Sequence, residues 1–105
     1  MDDFGLTKEE YDRIKSVFAS FSKVEEVVIY RSRAKESHKP APDIDLTLLG
    51  RNLDAGLQND IAFALDDLLL PYKFDLSTYD ALTSPELLAH IHRVGRRFYK
   101  KRLKR

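Results

Sequence analysis

Cysteine is absent from the 105-residue chain, which excludes a disulfide framework, a thiolate metal site and a thiol nucleophile. Any metal must therefore be held by oxygen or by histidine nitrogen. Long apolar runs are missing too, since none approaches the roughly 18 to 20 residues that cross a bilayer. The start, Met1-Asp2-Asp3-Phe4, has neither the basic n-region nor the apolar h-region of a secretory signal. These absences point to the cytoplasm and to no membrane partner. No internal repeat, low-complexity tract or linker divides the sequence, and its length suffices for one hydrophobic core and little more. Residues 1–105 are thus expected to form a single domain with one compact site.

What is present fits a soluble globular protein: 43% hydrophobic and 33% charged residues leave no case for disorder or a fibrous repeat. The net charge is only +1, but Arg93, Arg96, Arg97, Lys100, Lys101, Arg102, Lys104 and Arg105 crowd the C-terminal end. Such a tail could touch nucleic acid or an acidic protein surface. The favoured reading is cations offsetting the dipole at the end of a helix. Nucleic acid is the weaker reading, because only Phe98 and Tyr99 are there to stack on bases.

Thr7 followed by Glu10 is a capping-box pattern, and Tyr11, Ile14, Phe18 and Phe21 then recur at helical spacing, which predicts a helix over about 7–21. Val24 to Tyr30 is rich in β-branched residues and reads as a strand. Pro40-Ala41-Pro42 forces an extended lead-in to a second strand, which runs to about Leu49 and stops at Gly50. Leu57, Ile61, Ala64, Leu65 and Leu68 mark one face of a helix over about 54–70, with Asp54 as its N-cap. After Pro71 the alternation in Tyr72-Lys73-Phe74-Asp75-Leu76-Ser77 predicts a third strand with one buried face. Thr83, Pro85 and Glu86 open a last helix, whose buried stripe would be Leu87, Ile91, Val94 and Phe98. The order is α-β-(turn)-β-α-β-α, an α/β (α+β) layout.

In Asp43-Ile44-Asp45-Leu46-Thr47-Leu48, strand alternation sends both carboxylates and Thr47 to one face and the three apolar residues to the other. Two like charges on one face repel unless a cation or a proton relieves them. In the third strand Lys73, Asp75 and Ser77 lie opposite Tyr72, Phe74 and Leu76. If the two strands pair, Asp43, Asp45 and Asp75 converge. Three hard oxygen donors on rigid strands suit Mg2+ or Mn2+, whose octahedron phosphate and water complete. The plainer reading is that these aspartates solvate the open face of a half-exposed sheet.

Arg31-Ser32-Arg33-Ala34-Lys35-Glu36, the spacer Ser37 to Ala41, and Pro42-Asp43-Ile44-Asp45-Leu46 follow one another directly. In this stretch the chain resembles the minimal nucleotidyltransferases of the DNA polymerase β superfamily, whose pattern is Gly-Ser-Arg-Ala-x-Gly, a short spacer, then Ser-Asp-Ile-Asp-Leu. The likeness extends to Pro71-Tyr72-Lys73-Phe74-Asp75-Leu76, similar to the family's third-carboxylate strand, and to a closing helix with Ile91 to Tyr99. The resemblance implies a polymerase-β-like fold, a small mixed β-sheet flanked by helices. It also implies that Asp43, Asp45 and Asp75 hold Mg2+ or Mn2+ on a nucleoside triphosphate, ATP being the expected one. Ser32 with neighbouring backbone N–H groups would cradle the terminal phosphates, and Arg33 would add a charge-assisted contact. Domains of this kind and length commonly serve as the antitoxin partner of a HEPN-domain toxin and modify it with AMP on a hydroxyl side chain.

The chain departs from the pattern at Arg31 and Glu36, where the family has glycine, and at Pro42, where it has serine. An arginine fills space that glycine leaves for phosphate, and a glutamate adds like charge beside a triphosphate. Two functions follow: an adenylyltransferase with an altered phosphate cradle, or a catalytically silent module that neutralises its partner by contact alone. His90 and His92 are two apart and face different sides of a helix, so they do not share a metal in the i, i+4 manner. They and His38 are read as surface or packing residues.

Overall fold

The computed structural model of the chain describes residues 4–30 and 43–102. Helix α1 (Lys8–Ala19) starts where the capping box predicts: Thr7 Oγ1 accepts from the Glu10 N–H and Glu10 Oε1 accepts from the Thr7 N–H, both at 3.0 Å. Its apolar stripe buries Ile14 and Phe18. Strands β1 (Glu26–Ile29) and β2 (Asp43–Leu49) follow. Helix α2 (Ala55–Asp66) is capped by Asp54, whose side chain accepts from the Leu57 N–H at 2.9 Å, and buries Ile61 and Leu65. It ends about a turn earlier than its apolar pattern suggests, and Leu69 beyond it takes the left-handed region at φ 57°. Strand β3 (Lys73–Thr78), a single 3-10 turn (Tyr79–Ala81), helix α3 (Pro85–Val94) and strand β4 (Arg96–Lys100) complete the order.

Two expectations are corrected at the C-terminal end. The cap of α3 is Ser84 rather than Thr83, its Oγ accepting from the Leu87 N–H at 3.1 Å. More consequentially, the last helix does not run through Phe98. It stops at Val94, and Arg96 to Lys100 form a strand antiparallel to β1. Gly95 makes the reversal: a Cβ there would collide with the Ile91 carbonyl oxygen and stand 2.8 Å from Val28 Cγ1. The cations Arg96, Arg97 and Lys100 therefore line an outer strand and discourage edge-to-edge pairing; only His92 and Arg93 sit in the last turn of α3.

The sheet order is β3-β2-β1-β4, mixed, with β2 and β3 parallel and the other neighbours antiparallel. Side chains of one parity, among them Val27, Ile29, Ile44, Leu46 and Leu48, join Ile14 and Phe18 of α1, Ile61 and Leu65 of α2, and Phe98 in one buried cluster. The register irregularity between Val27 and Val28 re-aims β4, so that Phe98 and Tyr99 both reach Phe18, at ring separations of 6.2 and 6.0 Å. Ile91 of α3 is buried outside that cluster, and Gly95 closes on Val28, which alternates to the other side of β1. Helices α1 and α2 thus cover one face of the sheet, and α3 approaches the other.

Candidate functional site

The second face of the sheet carries the polar set that alternation assigns to it. In the parallel β2–β3 ladder Asp43 lies beside Lys73, Asp45 beside Asp75 and Thr47 beside Ser77. Paired strands stand about 4.8 Å apart, so Asp45 and Asp75 rise from neighbouring strands as direct lateral neighbours. Asp43 is two residues along the same strand face, next to a lysine of opposite charge. Asp43 and Asp45 are half-buried and Asp75 is exposed. A rigid parallel ladder fixes their spacing, because a slip of one residue would send every apolar side chain of β2 to the wrong face.

Oxygen-only donors on such a ladder are of the right chemical kind for a hard divalent cation, which uses one or two protein carboxylates and leaves positions for phosphate and water. The backbone brings the three aspartates to one face. Among the described residues, however, no three acidic or imidazole side chains are gathered closely enough to hold an ion as they stand. Thr47 differs from its expected role as an open-face residue: it is wholly buried, and its Oγ1 has no hydrogen-bond partner among the described residues. Ser77 beside it donates to the Leu46 carbonyl at 3.5 Å.

Ser32 and Arg33, the expected phosphate contacts, and Arg31, Glu36, His38 and Pro42 lie outside the described residues. What borders that segment is described. Tyr30 directly follows β1, and its N–H donates to the Asp45 carbonyl at 3.2 Å, which ties the chain entering the segment to the carboxylate strand.

The histidines of α3, read from sequence as surface or packing residues, have partners that the sequence did not show. His90 Nε2 stands 3.1 Å from the Tyr30 carbonyl oxygen, and His92 Nε2 stands 2.7 Å from the Tyr79 hydroxyl. Their spacing of two residues, which rules out a shared metal, is what lets one helix reach both the end of β1 and the turn after β3. Only the tertiary placement of α3 could reveal those partners.

Compared with known families, residues 12–103 match the polymerase β nucleotidyltransferase family. No curated protein gives a significant match. Among solved structures, the fold is similar to a crystal structure of a toxin–antitoxin with AMP-PNP (TM-score 0.67, 18% identity, 87% of this chain and 73% of that chain). It is also similar to the tri-AMPylated HEPN toxin of Shewanella oneidensis in complex with its MNT antitoxin (TM-score 0.68, 17% identity, 91% and 74%). A third is the toxin–antitoxin MntA–HepT (TM-score 0.66, 16% identity, 90% and 74%).

Proposed function

The chain belongs to the polymerase β nucleotidyltransferase family, and from that premise we propose that it is a metal-dependent adenylyltransferase acting on a partner protein. The observation that carries this reading is the β2–β3 register, which sets Asp45 beside Asp75 with Asp43 on the same face. Asp43, Asp45 and Asp75 would hold Mg2+ or Mn2+. Such an ion, when bound, neutralises phosphate charge and lowers the pKa of the attacking hydroxyl. Ser32 and Arg33 would bind the phosphates of ATP. In the transfer, the acceptor oxygen bonds to the α-phosphorus as the bond to the bridging oxygen breaks. Pyrophosphate leaves with that electron pair, and the hydroxyl proton passes to water. The similar complexes of HEPN toxins with MNT antitoxins, one of them with a tri-AMPylated toxin, support a HEPN-domain protein as partner and AMP as the group it receives, and the family resemblance implies a hydroxyl side chain as acceptor.

Co-expression with such a partner tests this reading by intact mass. The expected result is a gain of one or more AMP units on the partner with the wild type and none with Asp43→Asn. An unmodified partner in both would overturn it.

Arg31 and Glu36 favour the second reading, a silent module that acts by contact. Replacing both by glycine restores the room that phosphate needs. If the chain is an enzyme with an altered cradle, that double variant binds Mg-ATP about tenfold more tightly, a gain of about 1.4 kcal/mol. If neither protein binds Mg-ATP while the partner complex persists, contact alone is the function.

A further inference from the structure

We propose that His90 is a positioning residue of the nucleotidyl-transfer site, acting through Tyr30; the inference rests on the function proposed above. Tyr30 is held from both sides. Its N–H donates to the Asp45 carbonyl at 3.2 Å, and its own carbonyl receives His90 Nε2 at 3.1 Å. One residue thus joins the end of β1 to the strand that bears the carboxylates, at Asp45 itself, and His90 fixes that residue from a third element.

The chemistry of the contact is definite. A carbonyl oxygen only accepts, so Nε2 carries the proton and Nδ1 is the acceptor; the tautomer is assigned from these partners. Arg93 Nη2, one helical turn away, stands 3.5 Å from Nδ1 and is a donor that suits it. The Tyr30 and His90 rings meet edge to face at 6.3 Å and 82°, which orients the imidazole further. On the other side of α3, His92 meets the Tyr79 hydroxyl at 2.7 Å, close to the end of β3. The helix is therefore tied just beyond the ends of β1 and β3, the two neighbours of β2, and the His90 contact is to a residue hydrogen-bonded to Asp45. Transfer chemistry is sensitive to placement: a shift of about 1 Å in a reacting group can cost on the order of a hundredfold in rate.

A residue that merely packs would tolerate a leucine of similar volume, whereas a positioning donor requires an N–H at the place of Nε2. Calorimetric titration of the full chain with Mg-ATP, with melting temperatures measured in parallel, separates the two. His90→Leu is expected to weaken Mg-ATP binding about tenfold or more. His90→Gln, whose amide nitrogen can take the place of Nε2, should stay within about threefold of wild type. His92→Leu, which loses the Tyr79 contact instead, should lower the melting temperature at least as much as His90→Leu but leave binding near wild type. The proposal is overturned if the leucine and glutamine variants at position 90 bind alike, or if the losses at 90 and 92 simply follow melting temperature. Failure of the wild type itself to bind Mg-ATP would overturn the functional reading and this role with it, whereas binding by the wild type with an indifferent position 90 would defeat only the role of His90.

Discussion

Glu10 joins three parts of the molecule through one carboxylate. It accepts from the Thr7 N–H to close the cap of α1 and from the Tyr72 hydroxyl at 2.8 Å, which ties the helix to the start of β3. The Thr7 backbone bond first, and then the Tyr72 hydroxyl, hold its pKa below the usual glutamate value of 4.5. A carboxylate with a lowered folded pKa contributes stability that is fully present above its unfolded value and is lost as pH falls through the folded one. Glu10→Gln should therefore reduce stability at neutral pH and flatten the decline of melting temperature below about pH 4.5, measured by thermal unfolding across a pH series. Thr47 makes the opposite case. An unpartnered buried hydroxyl costs about 1–3 kcal/mol, so Thr47→Val, of nearly the same shape, should leave stability unchanged or raise it in denaturant unfolding. The capping box was legible in the spacing of Thr7 and Glu10. The burial of Thr47 was not, because alternation assigns a side chain to a face and says nothing of what covers that face.

Strand β4 shows where periodicity misleads. Leu87, Ile91, Val94 and Phe98 have helical spacing, yet Phe98 belongs to an edge strand of the sheet and joins the main core on the face opposite α3. The clue was Gly95, which can lie between the Ile91 carbonyl and the Val28 side chain only because it has no Cβ. Gly95→Ala forces the α3–β4 junction apart and should cost about 1–3 kcal/mol in denaturant unfolding, as overpacking does. Phe98 is 2% exposed and touches Phe4, Tyr11 and Phe18, with its closest ring contact at 5.0 Å. Phe98→Ala should cost about 3–5 kcal/mol, and a loss below about 1 kcal/mol would show that β4 is not a core strand. By contrast Phe63, on α2 and 68% exposed, should tolerate serine within about 0.5 kcal/mol. Elements whose ends are marked by local chemistry, such as Asp54 before α2, were readable from sequence. The end of α2 at Asp66 was not, since Leu68 and Leu70 continue the apolar pattern while the backbone turns at Leu69.

At the scale of the molecule, the parallel β2–β3 pair is the arrangement on which the proposed function depends. Each strand's alternation could be read in isolation: Asp43, Asp45 and Thr47 on one side, Lys73, Asp75 and Ser77 on one side. That Asp45 falls beside Asp75 is a matter of register, which the crossover through α2 sets and no local pattern reveals. The altered residues at 31 and 36 are legible only as departures from a family pattern, while the grip of His90 on Tyr30 needed three elements in place at once. The proposed function requires that Asp45 and Asp75 together bind a divalent cation with nucleotide. The most direct measurement is the change in melting temperature on adding Mg-ATP to wild type, Asp45→Asn and Asp75→Asn. A ligand bound only by the native state at about a hundred times its dissociation constant adds about 2.7 kcal/mol. A clear rise is expected for the wild type, one that EDTA removes and that either substitution abolishes. A rise of the same size in all three proteins would contradict it.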